Sequence, residues 1–359
     1  MHPAYRRGTT MKTVPGNYFE DFRIGQEIVH ATPRTVSDGD VAMYTALYGP
    51  RFAMTAGESF AQAMGMERMP LDSMLVFHVV FGKTVPDISL NAVANLGYAA
   101  GRFGVPVYPG DTLAARSEVI GLKPNRDGKT GVVYVHSVGT NQRGETVLDY
   151  VRWVMVRKGD ESAPPPETVL PELPAAVPAG ELVVPFDLRG RTYDTVLAGS
   201  PYLWEDYEIG ERIDHVDGMT IEEAEHMLAT RLYHNTAKVH FNQHVESAGR
   251  FGRRIVYGGH IISLARALSY NGLANAVCIA AINGGTHANP TFAGDTVYAW
   301  SQVLDKLEIP GREDVGGLRL RTVATKDLSG ADFPYQGPEG KYLPNVVLDV
   351  DYTVLMPRH

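Results

Sequence analysis

The chain has 359 residues, 44% of them hydrophobic and 21% charged, with a formal net charge of −8. That length and composition suit two globular domains with a real core each, and the acidic balance excludes the basic footprint of a nucleic-acid or anionic-membrane binder. A single cysteine, Cys278, excludes a disulfide framework and any multi-thiolate metal site.

Met1 to Gly16 holds Arg6, Arg7 and Lys12 but no apolar run of the kind a secretory signal needs. No uncharged apolar stretch approaches the ~18 residues of a membrane span, so a cytoplasmic protein is expected. The next block, Phe19 to Ile28, reads as a turn and returns at Trp204 to Ile213, 185 residues further on. Thr35 and Thr220, Thr45 and Thr230, and Leu47-Tyr48 and Leu232-Tyr233 keep the same spacing, and Pro106 to Thr112 returns at Pro290 to Thr296 one residue earlier. A spacing held over separate blocks marks a duplicated domain.

Each copy then carries an amphipathic helical pattern, with Val41, Tyr44, Leu47 and Tyr48 in the first and Ile221, Ala224, Met227, Leu228 and Leu232 in the second. Thr220-x-x-Glu223 fits a capping box at the start of the second pattern. Apolar helical segments follow, Met74 to Val85 and Ile261 to Ser269. After them come strand-like runs at 94–105, 112–120, 131–140 and 146–156, and again at 277–288, 296–304, 317–325 and 346–355, with Gly, Pro, Asn and Asp at the joints. Domains are expected at 17–158 and 200–357. The segment 159–199 between them, with Pro164-Pro165-Pro166, Pro171, Pro174 and Pro178, reads as an extended linker, or equally as a strap lying across both domains. One helix followed by an antiparallel sheet that wraps it, twice over, is an α+β architecture. Joining the two sheets edge to edge hides two edge strands and makes a double hotdog.

Three stretches carry a family resemblance: Leu232-Tyr233-His234-Asn235-Thr236-Ala237-Lys238-Val239-His240, then Ile255-Val256-Tyr257-Gly258-Gly259-His260, then Pro290-Thr291-Phe292-Ala293-Gly294-Asp295-Thr296. The chain resembles the MaoC-like dehydratases and (R)-specific enoyl-CoA hydratases, whose signature is an aspartate, four intervening residues and a histidine. Asn235 stands at the aspartate position and His240 at the histidine position, while the first copy has Pro50 and Thr55 there. The resemblance, extended through Met74 to Ser89, implies a hydro-lyase acting on a short, carboxylated enoyl-CoA. It implies an acyl-CoA substrate, no cofactor, no nucleic-acid or membrane partner, and a possible homo-oligomer.

Hydrating an enoyl thioester needs a base for water, a proton for Cα and donors for the thioester oxygen. His240 is the candidate base or acid, because an imidazole titrates near working pH. Asn235 can orient the water, although it is also a natural helix C-cap. Gly258 and Gly259, at a helix start, offer unobstructed N–H groups as an oxyanion hole, although they can equally form a tight turn. A substrate carboxylate needs a cation, and the Arg253-Arg254 pair is favoured over Lys238, Arg51 and Arg102. His234, His244 and His260 lack a metal-ligand spacing with His240, and Cys278 reads as inert core. Two rival functions stay open: an acyl-CoA thioesterase and a non-catalytic acyl-CoA-binding protein.

Overall fold

The computed structural model describes residues 12–359, so Arg6 and Arg7 lie outside the described residues. Its centre is one ten-stranded antiparallel sheet, ordered β1-β3-β4-β5-β2-β7-β10-β9-β8-β6. The first half supplies β1 (Glu27–Thr35), β2 (Ala92–Phe103), β3 (Thr112–Pro124), β4 (Thr130–Thr140) and β5 (Thr146–Arg157). The second supplies β6 (Arg212–Thr220), β7 (Cys278–His287), β8 (Thr296–Glu308), β9 (Val315–Lys326) and β10 (Val346–Pro357). The halves meet where β2 pairs with β7, Tyr98 opposite Gly285 and Arg102 opposite Ala281. The sheet therefore wraps two helices in an α+β double hotdog, as expected.

The principal helices are α1 (Asp38–Tyr48), α2 (Ser73–Thr84), α3 (Glu223–Leu232) and α4 (Gly258–Leu268). Helix α1 starts at a capping box: Ser37 Oγ accepts from Asp40 N at 3.3 Å, and Asp40 accepts from Ser37 N at 2.8 Å. It ends at Gly49, whose φ of 58° suits a residue without a Cβ. Helix α2 is buried all round, His78 and Lys83 included, because the sheet covers one side and the second half covers the other. Met74, Leu75, Phe77, Val79 and Val80 are all buried, each apolar side chain contributing ~1.5–3 kcal/mol.

Two expectations need correction, and a third point, left open between linker and strap, goes to the strap. The second capping box lies two residues after Thr220: Glu225 accepts from Glu222 N, and Thr220 ends β6 with its hydroxyl 2.8 Å from that of Thr296. Each half also has a strand, β1 or β6, between the turn block and the first helical pattern, where no strand was expected. These are outer strands, and in β1 only Ile28 and His30 are buried, so their alternation is faint. Finally, residues 159–199 do pack. Prolines set an extended path, but Val177, Leu182, Phe186 and Leu188 are buried in a cluster with Met54, Met64, Val277 and Leu355. The segment is tied to both halves, by Asp187 N to Met64 O at 3.0 Å and Leu188 N to Asp314 Oδ2 at 3.0 Å.

The two halves repeat details as well as topology. His30 Nε2 lies 2.8 Å from Ser117 Oγ, and His215 Nε2 lies 2.8 Å from Ser301 Oγ. No helix among the described residues is long and apolar enough to cross a membrane.

Candidate active site

Helix α3 ends at Tyr233, and the chain turns through His234 in the left-handed region, φ 53°. Asn235 follows, buried, and its Oδ1 accepts from Ala237 N at 3.0 Å. That side-chain turn sets the direction of the short 3-10 helix Lys238–His240. His240 is thereby aimed back at the entry to α4, where its Nδ1 lies 3.0 Å from the carbonyl oxygen of Ile255. A carbonyl only accepts, so Nδ1 carries the proton and Nε2 keeps its lone pair. Burial pushes the imidazole down to about 4, against the opposing effect of the Ile255 carbonyl and with a smaller push from His226. His240 is therefore neutral at pH 7, in the tautomer of a base.

The start of α4 explains its two glycines. A Cβ at Gly258 would overlap the His287 ring, and one at Gly259 would overlap Tyr257 and His78. Tyr257 precedes the helix and provides no side-chain cap, so the first N–H groups of α4 have no side-chain acceptor. The resulting cluster is compact: the His240 ring lies 5.7 Å from Tyr257 and the His287 ring 5.8 Å from Tyr98. Tyr98 belongs to the first half, and its OH lies 3.1 Å from His287 Nε2. Gly285, opposite Tyr98, leaves that ring room to cross, since a Cβ there would come within 3.0 Å. Burial also pushes His287 down to about 4, with a smaller effect of His240.

The sequence-predicted residues separate into two groups. Asn235, His240, Gly258 and Gly259 belong to consecutive segments around the entry to α4. The arginines are engaged elsewhere: the Arg253 guanidinium stacks 3.9 Å from the Phe292 ring centroid, and Arg254 pairs with Glu223. Arg51 stacks on Tyr270, Arg102 pairs with Asp149 and Glu181, and Lys238 is exposed. Sequence reasoning missed Tyr98, Tyr257 and His287. Tyr257 sits directly before the glycine pair and His287 just before the Pro290 turn, which are weak signals, but nothing local marks Tyr98. Among the described residues no group of three His, Cys, Asp or Glu side chains is placed to hold a metal.

In the first half the corresponding position is an apolar cavity. It is lined by Met54, Leu71, Ser73, Val107 and Cys278, together with Val183 from the strap. The framing contact is the same in both halves, Leu71 N to Val107 O at 2.8 Å and Val256 N to Thr291 O at 2.9 Å.

Comparison with known proteins agrees with this architecture. A MaoC like domain model matches residues 20–141. The chain is 71% identical to the β-methylmalyl-CoA dehydratase of Chloroflexus aurantiacus, over 97% of this chain and 99% of that one. It is 59% identical to the mesaconyl-CoA hydratase of Cereibacter sphaeroides, over 97% and 100%. A solved structure of a Chloroflexus aurantiacus protein described as a MaoC domain dehydratase superposes with a TM-score of 0.96 at 70% identity, covering 98% of this chain and 100% of that one. A double-hotdog protein of Mycobacterium tuberculosis gives a TM-score of 0.78 at 25% identity, covering 96% and 100%. With such identity over nearly its full length, the chain belongs to the MaoC-like dehydratase family, in its double-hotdog form.

Proposed function

We propose that this chain is a hydro-lyase that reversibly adds water to mesaconyl-CoA (2-methylfumaryl-CoA) to give β-methylmalyl-CoA. The observation that carries the reading is His240: neutral, with Nδ1–H donated to Ile255 and Nε2 left as a base, beside an uncapped helix start. The relatives named above supply the substrate class.

In the forward direction His240 Nε2 takes a proton from water that Asn235 orients. The hydroxide oxygen bonds to Cβ, the C=C π pair moves to form an enolate, and Gly258 and Gly259 N–H groups hold the negative thioester oxygen. The enolate then collapses and Cα receives the proton held on His240 Nε2, so the base is regenerated, one water is added and nothing is oxidised. The reverse sequence expels water. CoA is part of the substrate, and no cofactor is required.

The test is incubation with mesaconyl-CoA while enoyl-thioester absorbance and free thiol are followed together. Loss of absorbance with a gain of one water in mass and no thiol supports the hydro-lyase. Thiol release would make the chain a thioesterase, and binding with neither change would make it a non-catalytic acyl-CoA binder.

A further inference from the structure

Arg152, on β5, is wholly buried with its side chain turned toward α2. Nη2 donates to Thr84 Oγ1 at 2.7 Å, Ser89 Oγ lies 3.4 Å away, and the guanidinium stacks 4.3 Å from the Phe81 ring centroid. Nε has no hydrogen-bond partner. No carboxylate of the described residues forms an ion pair with this guanidinium. Its neighbours are the phenols of Tyr150, Tyr98 and Tyr257, all pushed upward by burial and hence neutral. The Tyr150 hydroxyl, beside Thr84 and Ser137, completes no hydrogen bond either. An arginine cannot shed its charge, and a buried charge without a counter-ion is costly. A buried cation of this kind is a candidate receiver for an anion that arrives from outside.

The other half shows what an internal solution looks like. At the positions of Phe81 and Tyr257, 185 residues apart from their counterparts, stand Arg266 and Asp72. Arg266 is also buried, but there the Asp72 carboxylate lies within its electrostatic reach. Around Arg152 the equivalent carboxylate is replaced by Tyr257. Among the described residues the internal anion is thus present beside Arg266 and absent beside Arg152, whose neighbours include Tyr257 at the entry to α4.

Arg152 is also linked to the site through two chains of aromatic contacts. Tyr98 lies opposite it in the β2–β5 register and touches His287, and Phe81 lies 5.8 Å from Tyr257, which packs on His240. Resting on the hydratase reading above, we propose that Arg152, helped by Tyr98 and Tyr150, receives the carboxylate that mesaconyl-CoA carries on the carbon attacked by water. Arginine suits this because its planar fork holds a carboxylate through two charge-assisted hydrogen bonds.

The experiment compares kcat/KM for mesaconyl-CoA and for crotonyl-CoA, which has a methyl group at the carbon bearing the carboxylate. The proteins are wild type, Arg152→Met, Tyr150→Phe, Arg253→Ala and Arg254→Ala. Arg152→Met is expected to lower the mesaconyl-to-crotonyl ratio about 10–100-fold, the usual effect of a lost charge-assisted bond. It should also melt at or above the wild-type temperature, because an uncompensated charge has left the core; a merely structural arginine would lower it. Tyr150→Phe is expected to lower the same ratio without lowering Tm. A ratio unchanged in both variants, or lowered only in Arg253→Ala or Arg254→Ala, overturns this inference and leaves the hydratase reading standing. A wild-type protein inactive on mesaconyl-CoA overturns both.

Discussion

His78 and Ser263, 185 residues apart and equivalent within the duplication, are hydrogen-bonded to each other at 2.8 Å. Tyr48 and Tyr233 do the same, with hydroxyl oxygens 2.9 Å apart. A residue can meet its own counterpart only on a two-fold axis, so these pairs locate the pseudo-symmetry axis between α2 and α4. Ser263 also receives Tyr44 OH at 3.1 Å. Ser263→Ala would strand the wholly buried His78 Nε2. We expect a destabilisation of about 1–3 kcal/mol, readable in urea melts. A change below about 0.5 kcal/mol would contradict the account.

His240→Ala is expected to lower kcat by ~10²–10⁴ while circular dichroism and Tm stay near wild type. Asn235→Ala should cost less, about tenfold, because it removes an orienting group rather than the base. Asn235→Asp keeps the acceptor for Ala237 N and should stay folded. Near-native kcat at saturating substrate in His240→Ala would remove that residue from the chemistry.

The pH dependence follows from the buried imidazoles. With His240 pushed to about 4, its base form persists well below the ordinary histidine range. The acid limb of kcat/KM should fall below pH 5 rather than near 6.5. Stability behaves differently. His215 and His287 are pushed to about 4 and His260 to about 3, each mainly by burial. The unfolded chain binds protons on these groups below pH 6.5 while the folded chain does not. Stability is therefore complete above pH 6.5 and declines as pH falls through 6.5 toward 4, by up to about 1.4 kcal/mol per pH unit for each group. Tm measured from pH 7.5 to 4.5 should fall steadily. A flat profile would contradict neutral burial of these rings.

Gly258→Ala places a methyl group in the His287 ring. We expect a loss of about 1–3 kcal/mol from overpacking and a larger proportional loss of kcat than of Tm, since His287 and the α4 entry must both shift. Gly294→Ala provides the contrast. Its added Cβ meets nothing within 4 Å, so only the strain of a φ of 94° is felt. Equal kinetic losses in both variants would show that Gly258 has no special place.

How much of this was legible beforehand depends on how local each feature is. The duplication, both central helices and the strands after them left direct marks, because buried helices and two-sided strands need long apolar runs. Strands β1 and β6 did not, because an outer strand buries only one or two side chains. Asn235, His240, Gly258 and Gly259 fall on neighbouring segments of one half, where spacing is readable. Tyr98 and Arg152 reach the same region only through the β2–β7 and β2–β5 pairings. A partner set by strand register across a domain boundary leaves no trace in local sequence.

The strap has a consequence for stoichiometry. A symmetric pair of hotdog units presents two equivalent chambers, but here Val183 and Pro185 of the strap line the first one, and Pro50 and Thr55 stand where Asn235 and His240 stand in the second. The two chambers of the duplicated chain thus differ in their lining. A tight substrate analogue is expected to saturate at one equivalent per 359-residue chain, because the first chamber lacks the Asn235 and His240 pair and is lined by the same covalent segment that joins the two units.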